Sequence, residues 1–315
     1  NYPPGGSRIF YKNGNVPESG SILVQKALGS SINSLITDDQ GISGDRVKAI
    51  TAASNNFYNG KISEQIDSNV SKLGGLLTYK DLTKYKAKSE APINTTFHKY
   101  LVHGQGTWSQ AAILLQSLNI LEFFDLQSLG HNTPDYIHIV VEAMKLSMAD
   151  REAYYGDPDF TDVPIDGLLS KEYSAARRQL IDKNYPSIEM PSHGDPYIYS
   201  SMNGVKPTFV PPVYSPGILD KQSGTTHIAV QDKHGNMACS TPSGGSFEKS
   251  VFFDDLGFAL STRIEMFNLQ AGHPNLIEPG KRPRTTLVNY IVETEGQPFA
   301  TFGCPGGDHQ VQGNL

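Results

Sequence analysis

Seven prolines between residues 183 and 224, with no sustained apolar period among them, divide this 315-residue chain into halves of different kind. Before the segment, apolar residues recur at intervals of three and four; after it they alternate. A stretch of that length without periodicity is uncommon inside a compact domain unless it has a function. It stops at Gly224, where Thr225-Thr226-His227 opens a β pattern abruptly. The two halves together predict an α+β fold, helix-rich before Gly224 and sheet-rich after it, with no internal repeat.

Residues 43–59 have helical spacing at Val47, Ile50 and Ala53, with Ser43 as N-cap and Asp45 in the first turn. Residues 62–75 repeat the pattern at Ile62, Ile66, Val70 and Leu73 and end on Gly74, a stop signal. A short helix follows in TYKDLTKYKAK, and residues 97–105 read as one strand. Helical spacing runs from Trp108 to Leu129. A second long helix starts with Thr133 as N-cap and Pro134 at the first helical position, and ends at Gly156. Another covers residues 171–182. Beyond Gly224, THIAVQD and MACST flank a Lys233-His234-Gly235-Asn236 turn as a hairpin. GFALST, TTLVNYIVET and PFATFG are further strands.

Composition excludes some partners. A net charge of −6, with no basic cluster interleaved with aromatics, gives no footing for nucleic acid. No run approaches the ~18 apolar residues of a membrane span, and AAILLQSLNILEFF is punctuated by polar residues as a buried helix would be. Cys239 and Cys304 lack metal-type spacing and read as buried thiols, not as a disulfide framework. The chain opens without an initiator Met or a signal-like segment and stops after a Gly-rich stretch, so it reads as a fragment. Its compartment is therefore not legible, with the cytoplasm slightly favoured over the periplasm or secretion.

The chemistry centres on Thr225. Were the peptide bond before it cut, its hydroxyl would lie beside a free α-amine of unperturbed pKa about 8. That amine can take the hydroxyl proton without a histidine, the N-terminal-threonine form of an activated nucleophile. Gly224 permits the backbone distortion a self-attack needs. Taken alone, Gly-Thr-Thr is more simply a strand start, where β-branched residues are favoured. Three other stretches weigh against that. Pro305-Gly306-Gly307 after a strand can expose two consecutive N–H groups to an oxyanion, or be an ordinary turn. TPSGGS, residues 241–246, can hold Thr225 in place or be a loop. PGKRPRTTL, residues 279–287, offers Thr285 and Thr286 as hydroxyl donors to a carboxylate, or is an exposed basic loop.

The order TTHIAVQDKHGNM, GF, EPGKRPRTTL, FGCPGGDHQ resembles the γ-glutamyltranspeptidase family of N-terminal-nucleophile hydrolases. The stretches FYNGKISEQIDSNVSKLGGLLTYKDLTKYKAK and LNILEFFDLQSLGHNTPDYIHIVVEAMKLSMADREAYYGDPDF resemble the second half of that family's large subunit. The resemblance spans roughly residues 40–315. It implies an αββα four-layer sandwich and autocleavage between Gly224 and Thr225. Residues 1–224 then correspond to the C-terminal part of the large subunit, and residues 225–315 to the N-terminal part of the small one. It further implies Thr225 as nucleophile, Ser243 as its support, and Gly306 and Gly307 as oxyanion donors. Thr285 and Thr286 fall where the family binds the glutamyl carboxylate. The implied partners are a small amide substrate and water or an amine acceptor. The two fragments would stay associated, with a homodimer of that pair as a further option. The chemistry calls for no cofactor and no metal.

The departures bear on substrate. Gly245 stands where the family usually has Asn, and Arg263 and Met266 stand where it has the Gln and Asp that grip the α-amino group. A buried ammonium without a counter-charge is costly, so these changes point to an acid or plain carboxamide in place of a free α-amino acid. Two alternatives stay open: an acylase of glutaryl- or oxamate-like amides with the same mechanism, and an uncleaved binder of small acids. His138, Glu142 and Lys145 read as an ion-pair ladder, His227 as structural, Trp108 as a packing residue, and Asp308-His309 as either an entrance or a capped turn.

Overall fold

The computed structural model describes residues 6–11, 13–39, 44–208, 225–246 and 249–315. Ser43, Gly224 and the latter part of the proline-rich segment lie outside the described residues. In chain order the elements are α1 (Gly6–Phe10), α2 (Lys26–Asp39), α3 (Arg46–Asn59), α4 (Lys61–Lys72), α5 (Tyr79–Lys84), β1 (Ile93–Phe97) and β2 (Tyr100–Gly104). Then come α6 (Ala111–Leu121), α7 (Leu126–Leu129), α8 (Pro134–Tyr154), α9 (Ile165–Leu168) and α10 (Lys171–Arg178). After Thr225 follow β3 (Ile228–Gln231), β4 (Met237–Ser240), β5 (Phe252–Phe253), β6 (Phe258–Ala259), β7 (Tyr290–Thr294), β8 (Gln297–Phe302) and α11 (His309–Asn314).

The described residues fall into two compact units, one from Asn1–Ser89 with Ser246–Thr262, the other from Glu90–Gly245 with Arg263–Leu315. Sequence on both sides of residue 224 contributes to each. In the first unit, Ile62, Ile66 and Val70 of α4 bury one stripe against Phe253 and Leu256. Leu73 is exposed at the α4 C-cap, and Gly74 stops the helix with φ +74°. In α3 the helical spacing is right, but Val47 and Ile50 face solvent and Ala49 is buried. Its N-cap is Asp45, whose carboxylate accepts from the Val47 and Lys48 amides at 3.1 Å. The cap therefore lies two residues later than Ser43.

The second unit carries the site. Its antiparallel sheet has the order β1-β2-β7-β8. Helix α6 lies on β1 and β2 and is covered in turn by α8, α10 and α11. Ten of its eleven residues are buried, which is why its sequence is apolar nearly all round. Buried polar groups on α6 are satisfied: Ser117 donates to Ser147, and Asn119 accepts from Thr95 and donates to the Leu169 carbonyl. Gly104 admits the start of α6, since a Cβ there would be 3.1 Å from that of Ala111. Where a single strand is expected over 97–105, the chain makes a hairpin. His98, at φ +52°, and Lys99 turn the backbone so that Phe97 pairs with Tyr100. The turn lacks the Asn-Gly signature that marks such connections in sequence.

The helical stretch after Trp108 is also broken. Glu122 ends α6, and Asp125 caps the short α7 by accepting from the Ser128 amide. The helix expected over 171–182 stops at Arg178, and TTLVNYIVET is strand only from Tyr290. GFALST contributes just Phe258–Ala259, paired with β5. Thr133 and Pro134 start α8 as expected, the Thr133 hydroxyl accepting from the Tyr136 amide.

Candidate active site

Thr225 is placed by the β3–β4 hairpin. Asp232 closes the turn by accepting from the amides of His234 and Asn236, and Gly235 takes φ +87°. The register pairs Ile228 with Ser240 and Val230 with Ala238. Continued outward in the same register, it pairs Thr225 with Ser243, and the Thr226 amide donates to the Pro242 carbonyl at 3.2 Å. The Thr225 hydroxyl donates to Ser243 Oγ at 2.9 Å, and the Gly245 amide reaches the same oxygen at 3.2 Å. Gly245 has φ +92°, a conformation an Asn side chain adopts only with strain. Thr225, Ser243 and Gly245 therefore form one linked, half-buried group.

The turn after β8 is built on two consecutive glycines with positive φ. Gly306 and Gly307 take φ +125° and +57°. Their carbonyls accept from the His309 and Gln310 amides at 3.0 and 3.1 Å, starting α11. A trans peptide sets its N–H opposite its C=O, so the Gly307 N–H points away from that first helical turn. The Gly307 carbonyl also accepts from the buried Gln110 side chain, at 3.1 Å, and the same amide nitrogen donates to the Thr286 carbonyl at 2.8 Å.

Arg263 and Met266 occupy one 3-10 turn. Three residues per turn align positions i and i+3, so both side chains lie on one face. Arg263 Nη1 is 2.9 Å from Met266 Sδ and 3.3 Å from Thr286 Oγ1. Burial lowers the Arg263 pKa, and Glu265 opposes that shift. Thr286 is 5% exposed; the Thr285 hydroxyl accepts from the Leu287 amide, and the Thr285 amide donates to the Trp108 carbonyl. The loop leading to these threonines is not an exposed basic loop. Arg282 pairs with Asp157 and Glu90, Arg284 with Glu152, and Lys281 with Glu278. Buried Asn275 ties this loop to the 3-10 turn, accepting from the Arg284 amide and donating to the Met266 carbonyl, each at 2.7 Å.

Behind the two loops lies a charged cluster. Arg151, 6% exposed, donates to Gln110 Oε1 at 2.8 Å and to Asp308 Oδ1 at 2.7 Å, and it pairs with Glu152. Burial alone would raise the Glu152 pKa, but Arg151 and Arg284 outweigh it and hold the carboxyl at about 2. Arg151 is held above its ordinary value by Asp308 and Glu152 against the cost of burial. Asp308 thus faces inward to an arginine.

The remaining expected residues are structural. His227 bonds Thr241 at 2.9 Å and packs on Gly303, where a Cβ would be 2.5 Å from its ring. Thr241 in turn donates to the Val288 carbonyl, tying the β3–β4 hairpin to the segment after Thr286. Trp108 donates to Glu90 and stacks with Arg282. Glu142 and Lys145 pair at 2.7 Å, whereas His138 contacts the Asp182 carbonyl and takes no part in a ladder. Cys239 and Cys304 are free and half-buried. Among the described residues no group of three His, Cys, Asp or Glu side chains could hold a metal ion, and no helix is long and apolar enough to cross a membrane. Gln110, Arg151 and Asn275 lie outside the short motifs of the sequence. The one signal for Gln110 was a polar Ser109-Gln110 pair opening an otherwise apolar helix.

The glutathione hydrolase proenzyme of Escherichia coli (strain K12) is 31% identical over 317 residues, matching 96% of this chain and 48% of its own length. The solved structure of LmbA2991HD superposes with TM-score 0.82 at 35% identity, covering 97% of this chain and 53% of that one. The cephalosporin acylase of Bacillus halodurans does so with TM-score 0.78 at 27% identity, covering 98% and 49%. The chain thus spans about half the length of the relatives it matches. It shares their N-terminal-nucleophile hydrolase fold, the α+β architecture of αββα sandwiches. The profile of the gamma-glutamyltranspeptidase family matches residues 1–315, and the chain belongs to that family.

Proposed function

We propose that the protein is an N-terminal-threonine hydrolase or acyltransferase that cleaves itself between Gly224 and Thr225. The observation that carries this reading is the Thr225–Ser243 contact. A hydroxyl at the first position of a rigid hairpin, half-exposed and aligned by one acceptor, is a preorganised nucleophile once its own amine is free. The amine takes the hydroxyl proton as Oγ1 attacks the amide carbonyl. The oxyanion is met by the N–H groups of Gly306 and Gly307, and the proton passes to the departing amine. The resulting ester is resolved by water or by an acceptor amine, regenerating Thr225. The name of the E. coli relative supports both the proenzyme state and a γ-glutamyl substrate such as glutathione.

A second reading of the acyl group rests on one observation. The turn facing Thr286 presents a guanidinium and a thioether, with Arg263 and Met266 in contact. A cation there suits an acyl chain ending in a carboxylate or carboxamide better than one bearing an ammonium. The likeness to a cephalosporin acylase agrees with this. Turnover of γ-glutamyl-p-nitroanilide compared with glutaryl-p-nitroanilide separates the two. Preference for the glutaryl compound supports the acylase reading; strong preference for the γ-glutamyl compound removes it. Cleavage into two fragments meeting at Gly224/Thr225 separates both from a binder that never matures.

A further inference from the structure

Two loops of the site, the glycine turn at 306–307 and the threonine loop at 285–286, are far apart in sequence from the segment that holds them together. We infer that Gln110 is a positioning residue that sets the oxyanion turn relative to the threonine loop, and that Arg151 fixes its orientation; this rests on the proposed function. The Gln110 side chain is 1% exposed and uses its full complement of donors inside the protein: one amide N–H goes to the Thr286 carbonyl and one to the Gly307 carbonyl. Its oxygen accepts from Arg151 Nη1 at 2.8 Å. Reversing the amide would set its NH2 against a guanidinium and its oxygen against two carbonyls, so only one orientation is satisfied.

The geometry has a chemical consequence. The Gly307 carbonyl, bonded by Gln110 and the first turn of α11, belongs to the peptide it shares with the Asp308 N–H; the Gly307 N–H lies one peptide earlier, opposite the Gly306 carbonyl that accepts from His309. With the peptides on both sides of the Gly307 Cα anchored, rotation about that Cα is restricted, and the direction of the Gly307 N–H is fixed with it. A hydrogen-bond donor acts on a transition state only when it is already aimed at the developing charge. Arg151 also grips Asp308, the next residue, at 2.7 Å, so the backbone just after the Gly307 Cα is held twice, by one guanidinium and by the amide it orients. Asn275 makes an analogous bridge between the Met266 carbonyl and the Arg284 amide, but does not touch the glycine turn. It is an internal comparator.

The test uses the processed protein and two probes: a boronic acid with boron in place of the acyl carbonyl carbon, which adds to the Thr225 hydroxyl as a tetrahedral boronate and mimics the tetrahedral state, and the matching carboxylate. Gln110→Glu keeps the shape and the contact with Arg151 but sets an oxygen against the two carbonyls. It should weaken the boronic acid at least tenfold more than the carboxylate and lower kcat about 10–100-fold. Asp308→Asn, at a partly exposed side chain, should move the same ratio about threefold or more. Asn275→Asp should alter acyl preference while leaving the ratio within twofold of wild type. Wild-type ratios in both Gln110→Glu and Asp308→Asn, with an active parent, would overturn the inference alone. A parent that neither turns over acyl amides nor binds the boronic acid through Thr225 would remove the functional reading and this inference with it.

Discussion

Thr225 and Ser243 are cross-strand partners, and the Thr225 hydroxyl donates to Ser243 Oγ across 2.9 Å. The contact follows from the hairpin: the register set by the Asp232 turn places position 243 opposite position 225. Gly245 supplies the second donor to the same oxygen, so Ser243 is anchored on its far side. Under the proposed chemistry, a serine there orients the Thr225 hydroxyl without acting as a base, and the freed amine takes that task.

Ser243→Ala should therefore slow the reaction without weakening substrate binding. A hydrogen bond of this kind contributes roughly 1–2 kcal/mol, which is a fall of about 5–30-fold in kcat with KM within a factor of two. Ser243→Thr should restore most of the rate. Steady-state kinetics of the two variants check this, and an unchanged kcat in Ser243→Ala would contradict it.

Gly307→Ala should be more severe. The Cβ disfavours φ +57° by about 1 kcal/mol, and under the proposed chemistry any relaxation turns the N–H away from the oxyanion it would meet. The expected loss is about 10²–10³ in kcat with the protein still folded, read by rate assays alongside thermal melting.

Arg263→Gln combined with Met266→Asp replaces the cation and thioether with an amide and a carboxylate on the same face of the 3-10 turn. If these residues set acyl preference, the ratio of kcat/KM for γ-glutamyl over glutaryl anilide should rise at least tenfold. A ratio that stays put would show that selectivity lies elsewhere.

Glu152 makes a pH prediction. Its folded value of about 2 lies below the ordinary 4.5, so the folded state binds the proton less readily than the unfolded chain. The stability it contributes is present above pH 4.5 and is lost as pH falls towards 2. Glu152→Gln should remove that part of the acid dependence. It should also cost roughly 1–3 kcal/mol at neutral pH, because Arg151 and Arg284 lose a shared partner. Denaturant melts at pH 3 and pH 7 measure both effects.

Much of this was legible before the fold was known, and the misses have physical reasons. Thr133-Pro134, Ile62-Ile66-Val70 and the β3–β4 hairpin are local signals that tertiary packing did not override. The His98 turn was missed because its left-handed residue is a histidine and not Gly or Asn. Val47 and Ile50 misled because helical spacing says that a stripe exists, not that the stripe is covered. The site shows the same division. Thr225, Ser243, Thr286 and Gly307 lie in short motifs, whereas Gln110, Arg151 and Asn275 matter through partners 9 to 197 residues away, which no local pattern encodes.

The proposed chemistry depends on an unblocked amine at residue 225. N-terminal sequencing of the purified, active protein measures this directly. The account predicts a fragment beginning Thr-Thr-His, absent from Thr225→Ala, which should remain a single chain without turnover. Active protein with no chain starting at Thr225, or turnover that survives Thr225→Ala, would contradict it.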